Sequence, residues 1–466
     1  MADPRFDPVL DRARRFADDW LASLPDRPVG RPVDDADDGA ALRARLGALP
    51  EDGTPADRVL DDLAAALEPG LVATPGPRYF GFVTGGALPV ALGADWMAAA
   101  ADQNVAARVM SPAATAVEEV TGAWVLDLLG LPGECAVGFT TGAQMANVVG
   151  LAAARHALLA AVGWDVGTEG LAGAPVPTVV IGAHAHSTIL QALRLLGFGS
   201  GRAVRVPADD HGRMRADVLR DLLAAIDGPV LVCGQAGQVD TGACDPLDAV
   251  ADVVATREHA WLHVDGAFGL WAAASPAHRH LVAGAERADS WTVDAHKWLN
   301  VPYDCGMAIV RDRAALTAAM STSAAYLPLA GADPSSRVPE SSRRARALPV
   351  HAALRHLGRA GVAELVERCC TLARQAAEEL AGDPDLEVLN DVVLNQVLVR
   401  PRDGDARELA AAIARDGTCW VGTTVWQDRP ALRFSVSNWS TTPADISRSV
   451  AAIRAAARDQ AGTRAE

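Results

Sequence analysis

Residues 288–306 read ADSWTVDAHKWLNVPYDCG. Ser290–Val293 is a short, β-rich apolar run that stops abruptly at Asp294-Ala295-His296-Lys297-Trp298. Lys297 is the one lysine among the 42 Lys and Arg residues of the chain. Every other cation is an arginine, whose guanidinium stays protonated and is a poor amine nucleophile. Only lysine condenses with a carbonyl compound to a Schiff base. A single lysine at a strand end, between an imidazole and an indole, is read here as a Schiff-base lysine.

Working outward, short apolar runs alternate with Ala/Leu-rich helical stretches. Cys135–Thr140, Thr178–Gly182, Pro229–Cys233 and Trp261–Val264 are expected strands. Ala143–Ala161 and Ala216–Ala225 are expected helices between them. This alternation predicts an α/β fold with a mainly parallel sheet covered on both faces. Ligands of such sheets bind outside the carboxyl ends of the strands. Each expected strand is followed there by polar residues: Thr141-Gly142-Ala143-Gln144, then His184 and His186-Ser187-Thr188, Gly237-Gln238, Asp265-Gly266-Ala267, and the Asp294–Trp298 run. The spacing predicts that the five groups converge on one crevice.

Thr140-Thr141-Gly142 opens a helix with hydroxyls, free N–H groups and a positive dipole end, which suits a phosphate. It lacks the GK[ST] of a nucleotide loop, and taken alone a tight turn is the competing explanation. Gly197-Phe198-Gly199-Ser200-Gly201 reads as a loop. A phosphate turn, a Schiff-base lysine and a carboxylate at a strand end together suggest pyridoxal 5′-phosphate, whose ring nitrogen needs an acid beside it to act as an electron sink. Asp265 is the candidate acid. His186 either stacks on the ring or is a satisfied core histidine. A metal site at His259, His263 and Asp265 competes, but no further ligand is evident, so no metal is expected.

Composition bounds the rest. The chain has 466 residues, a formal net charge of −16, 50% hydrophobic and 21% charged residues. This excludes a disordered chain and argues against a nucleic-acid binder, which needs clustered basic excess. The Arg343-Arg344-Ala345-Arg346 run reads as a solvated or loop-anchoring segment. The seven cysteines include no CxxC pair, which fits reduced thiols in a cytoplasm. The N-terminus lacks an apolar signal core, and no apolar run reaches membrane-span length. A soluble cytoplasmic protein is expected. Residues 1–75 read as an N-terminal helical arm, 76–340 as the large sheet domain and 341–466 as a small α+β domain. In the last of these, Leu386–Val399 and Ala431–Val436 are expected strands, and Thr442-Pro443 with Asp445 starts the last helix.

At these residues the sequence resembles the group II pyridoxal-phosphate-dependent decarboxylases, the family of aromatic L-amino acid, glutamate and diaminobutyrate decarboxylases. The resemblance runs from about Pro77 to Trp439 through FTTGAQMAN (139–147), HAHSTILQALRLLG (184–197), WLHVDGAFG (261–269) and the 288–306 stretch. It implies a fold type I enzyme of the aspartate aminotransferase-like architecture, a homodimer with active sites at the interface, acting on a small-molecule amino-acid substrate. It implies Lys297 as the Schiff-base lysine, Asp265 on the pyridinium nitrogen and His186 stacked on the ring. Thr141, Gly142, Ala143, Asp294 and His296 fall near the phosphate, and Ala267 on the ring face. Tyr326 matches the loop tyrosine that returns a proton to the substrate carbon after CO2 leaves. PRYFGFVTGG (77–86) resembles the substrate-side segment, making Phe80, Phe82 and Thr84 candidate substrate neighbours.

The departures are specific. The family's Gly-Thr-Thr/Val segment reads Gly237-Gln238-Val239-Asp240 here. Asp294 stands where many members have Asn, and Asp102-Gln103-Asn104 is polar. Gln103, Asn104 and Gln238 therefore join the substrate candidates. Arg433 is a further one, as a carboxylate clamp or as half of a structural ion pair. The reading is an amino-acid decarboxylase. Decarboxylation-coupled oxidative deamination, transamination and β-elimination of a C–S bond stand as alternatives on the same scaffold. A catalytically silent cofactor-fold binding protein is a remote one.

Overall fold

The computed structural model describes residues 6–30, 36–321 and 333–465. Its strands are β1 (Tyr79–Phe80), β2 (Ala136–Thr140), β3 (Thr178–Gly182), β4 (Val204–Val206), β5 (Val230–Gln235), β6 (Ala260–Asp265), β7 (Ser290–Asp294), β8 (Gly306–Val310), β9 (Leu386–Val388), β10 (Gln396–Pro401), β11 (Trp420–Trp426) and β12 (Arg429–Ser435). Seven of them form one sheet in the order β2-β8-β7-β6-β5-β3-β4. β8 runs antiparallel to both neighbours. The other pairs are parallel. Every residue of β2, β7 and β8 is buried, as expected where helices cover both faces and the strands read as continuous apolar runs.

All five expected strands are present, and the helix Ala143–Ala161 has the expected bounds. Two strands of the large sheet escaped the sequence reading. β4 is only three residues long. β8 follows β7 without a helix between them, so the alternation gives no cue for it. Its first residue shows why the loop works: a Cβ at Gly306 would stand 2.5 Å from the backbone of Gly142. Glycine there lets β8 press against the turn that opens the Ala143–Ala161 helix.

The smaller sheet has the order β1-β11-β12-β10-β9. The run Leu386–Val399 is not one strand. It folds back on itself, so that β9 and β10 pair antiparallel with Val388 opposite Val399. Asn390 makes the reversal: its Oδ1 accepts from Leu398 N–H at 2.8 Å, and its Nδ2 donates to the carbonyls of Thr241 and Gln396. β11, absent from the sequence reading, joins β12 through Gln427-Asp428. Both residues have positive φ (48° and 60°), as a two-residue hairpin of the primed type requires.

β1 lies in the segment counted with the large domain on sequence, yet it pairs in parallel with β11 of the small sheet. Arg78 fixes this strip. It is 2% exposed and donates to the carbonyls of Thr418 (2.7 Å) and Pro25 (2.5 Å), joining the segment after the first helix to the start of β11. The last helix, Pro443–Ala465, begins with a reciprocal cap: Asp445 N–H donates to Thr442 Oγ1 and Thr442 N–H to Asp445 Oδ2. No described helix is long and apolar enough to cross a membrane. The seven cysteines are free and buried.

Candidate active site

The carboxyl ends of β2, β5, β6 and β7, with the loop after β3, surround a cavity of about 220 Å³. Gly142, Ala143, His186, Asp265, Ala267, Asp294, His296 and Lys297 line it, together with Gln144, Thr188, Gln235, Gly237, Val239 and Phe268. The parallel strands have aligned carboxyl ends, and this is what brings together residues from positions 142 to 297.

On one side lies the N-terminus of the Ala143–Ala161 helix. Thr140 Oγ1 donates to the Gly142 carbonyl at 3.0 Å and tightens the turn. A Cβ at Gly142 would stand 3.0 Å from the His296 ring, so glycine opens the space beside the helix end. Asp294, with its side chain 2% exposed, accepts from Ala143 N–H at 2.6 Å and from Lys297 Nζ at 3.0 Å, and His296 Nε2 is 3.5 Å away. The acid at 294 thus faces the site lysine and a helix N-terminus, two positive partners that offset its burial. Burial holds the His296 imidazole below its ordinary range, with Asp294 opposing.

On the other side lies Asp265, the last residue of β6 and 4% exposed. Its Oδ1 accepts from Ala267 N–H (3.2 Å) and its Oδ2 from Asn147 Nδ2 (3.2 Å). Between the two sides stands His186, whose Nδ1 lies 2.9 Å from Thr188 Oγ1 and whose N–H donates to Gln235 Oε1. Burial pushes its imidazole down, only partly countered by Asp265, so the ring is neutral near pH 7. Thr141, expected at the phosphate, belongs to the same turn.

The remaining candidates have other surroundings. Phe80 is 1% exposed and stacks on Phe434 at 3.9 Å. Phe82 is exposed and stacks on Trp420. Thr84 is buried beside the same strip. Gln103 donates to the Ala101 carbonyl, and Asn104 Oδ1 accepts from Ala106 and Arg343 N–H. Gln238 is turned into its own loop: its Oε1 accepts from Asp240 and Thr241 N–H, and its Nε2 donates to Asp240. Arg433 faces Asp240, Nη1 to Oδ1, at 3.8 Å. Tyr326 lies outside the described residues. The metal reading loses its central ligand, because both ring nitrogens of His263 are engaged, by Ser290 Oγ at 2.8 Å and Asn147 Oδ1 at 2.9 Å. Among the described residues no group of three or more His, Cys, Asp or Glu could hold a metal ion.

The sequence reading placed Thr188 with the polar groups of the crevice but missed Asn147, Gln235 and Phe268. Asn147 lies one turn into a helix whose first residue was noted, on its inward face at helical spacing, so periodicity could have found it.

The pyridoxal-dependent decarboxylase conserved domain matches residues 41–401. L-2,4-diaminobutyrate decarboxylase of Rhizobium meliloti (strain 1021) is 34% identical over 392 residues, covering 79% of this chain and 75% of that enzyme. Tryptophan decarboxylase 1 of Oryza sativa subsp. japonica is 30% identical over 469 residues, covering 92% and 89%. The crystal structure of Oryza sativa TDC with PLP and tryptamine superposes with a TM-score of 0.89 at 26% identity, over 98% of this chain and 99% of that one. The site residues fit the cofactor these matches imply: one amine, a helix N-terminus relieved of side-chain bulk by Gly142, and a carboxylate on the opposite wall. The chain belongs to the pyridoxal-dependent decarboxylase family, with the type I fold, and is a pyridoxal-phosphate-dependent amino-acid decarboxylase.

Proposed function

We propose that the crevice around Lys297 removes the α-carboxylate of an L-amino acid, and that the following residues do the work. Lys297 Nζ, the chain's one amine side chain, would hold the cofactor through its carbonyl carbon. The Ala143–Ala161 helix N-terminus, with Thr141, Gly142, Ala143 and His296, holds the phosphate. Asp265 would keep a proton on the ring nitrogen, and Ala267 would pack against the ring face. His186, whose imidazole burial pushes below its ordinary range, would lie on the ring. When bound, pyridoxal phosphate supplies the electron sink for the pair left at Cα as CO2 departs.

The observation that carries this reading is the pairing across one cavity of the chain's sole lysine with a buried carboxylate at the end of β6. Two features favour carboxylate loss over carboxylate clamping. No arginine lines the cavity among the described residues, and the Arg433 guanidinium already faces Asp240. An α-carboxylate left without a salt bridge loses less stabilisation when it leaves as neutral CO2.

We place the enzyme in the cytoplasm as a homodimer. Phe82, Met97, Val109, Met110 and Tyr303 are each more than half exposed, and the Tyr303 ring lies tilted against His296 of the site, centroids 4.5 Å apart. Apolar exposure of this kind, with Tyr303 at the crevice, suits cover by a second copy. The test is product analysis on cofactor-loaded protein with a panel of L-amino acids, with and without O2. An amine lighter than its substrate by one CO2, formed independently of O2 and absent with Lys297→Ala, supports the reading. A keto acid or aldehyde without amine refutes it.

A further inference from the structure

We propose that Asn147 is a positioning residue: its amide, aimed by His263 and Thr292, holds the Asp265 carboxylate in the orientation that keeps a proton on the cofactor's ring nitrogen. This rests on the role given to Asp265 above. Asn147 is fully buried on the inward face of the Ala143–Ala161 helix. Its Oδ1 accepts from Thr292 Oγ1 at 2.8 Å and from His263 Nε2 at 2.9 Å. Two donors on the oxygen fix the sense of the amide, so Nδ2 points the other way. There it donates to Asp265 Oδ2 at 3.2 Å and to Thr188 Oγ1 at 3.3 Å.

The His263 tautomer follows from the next link. Trp261 Nε1 donates to Ser290 Oγ at 2.8 Å, and indole is a donor only. The Ser290 hydroxyl proton is therefore free for His263 Nδ1, 2.8 Å away. Nδ1 accepts, and Nε2 carries the hydrogen that Asn147 receives. Burial pushes the His263 imidazole down to about 4, so it is neutral across the working range. The chain Trp261–Ser290–His263–Asn147 ends on Asp265 with every member before it uncharged. The negative charge then stays on the carboxylate facing the cavity and is not shared with a buried imidazolium. Thr188 also contacts His186 Nδ1, so the same amide braces the residue between the two walls.

The test is ¹⁵N NMR of holoenzyme carrying cofactor labelled at the ring nitrogen, titrated with pH, beside cofactor retention and kcat. Asn147→Leu keeps the bulk and removes the amide. The expected result is that the variant retains cofactor but releases the ring proton about one pH unit or more below the wild-type enzyme. Its kcat should fall about 10–100-fold, the usual range for loss of a supporting partner. Thr292→Val removes one of the two donors on Asn147 and should move the ring proton the same way by less, which keeps the proposal testable if Asn147→Leu does not fold. Asp265→Asn is the control for the underlying reading. If it leaves the ring proton unmoved, the role of Asp265 fails. If it strips the proton while Asn147→Leu or a folded Thr292→Val titrates like wild type, the role of Asn147 fails by itself.

Discussion

Acidification should expose the cost of the buried His263 in isolation. The residue is 0% exposed, and its imidazole is held at about 4 against an ordinary 6.5. A histidine whose folded value is depressed binds its proton more readily in the unfolded chain. The native state therefore has its full stability above about pH 6.5 and loses it as pH falls, levelling off below about 4. The interval, at about 1.4 kcal/mol per unit, amounts to about 3 kcal/mol, of which about 2 is lost by pH 5. The perturbation is His263→Gln, whose amide does not titrate. Other buried imidazoles, His186 and His296 among them, are depressed as well and add to the slope of both proteins. The informative quantity is thus the gap between wild type and variant. Urea unfolding at fixed protein concentration from pH 7.5 to pH 5 should show the variant less stable at the upper end, since it disturbs the Ser290 and Asn147 hydrogen bonds. The gap should shrink by about 2 kcal/mol on the way down. A gap that stays constant with pH would mean that His263 is not held neutral, and the tautomer assigned to it would go with it.

Other outcomes follow from the same contacts. Arg343 and Glu118 form a two-pronged buried pair, at 2.9 and 3.0 Å, just beyond the segment 322–332. Arg343→Met should cost about 3–5 kcal/mol in urea unfolding, with part recovered in the double variant with Glu118→Leu, since the loss is that of an unpartnered buried carboxylate. A Cβ at Gly85 would collide with the Lys297 carbonyl oxygen. Gly85→Ala should therefore fold but hold cofactor about tenfold or more weakly, read by the visible absorbance of bound cofactor. Asp240→Asn removes the carboxylate facing Arg433. It should raise the fraction of keto-acid product by freeing a guanidinium for the α-carboxylate, and an unchanged product ratio would show that Arg433 does not reach substrate.

Much of the site was legible because its chemistry is written in single residues. One lysine in 466 positions stands out as the one side chain with amine chemistry, since no arginine can replace it. Buried parallel strands produce apolar runs that stop where the chain turns into the crevice, so His186, Asp265 and Lys297 could be placed together from strand ends alone. Strand pairing across long separations was not legible. β8 has no alternation to announce it, β4 is too short for periodicity, and β1 is a two-residue strand claimed by a sheet formed mostly some 300 residues later.

Partner choice for polar side chains was decided only in three dimensions. On sequence, Arg433 fitted a carboxylate clamp and an ion pair equally, and the loop after β5 gave it Asp240. His263 fitted a metal reading until the fold packed it between Ser290 and Asn147. Gln238 fitted a substrate contact, and its own loop took it. Sequence by itself determined which groups can do the chemistry and which strand ends carry them, because reactivity and burial pattern are local properties. The tertiary structure decided which way these side chains turn and which charges meet, because that depends on how separate segments pack: Asn147 reaches His263, and Asp240 reaches Arg433, across more than a hundred residues of chain.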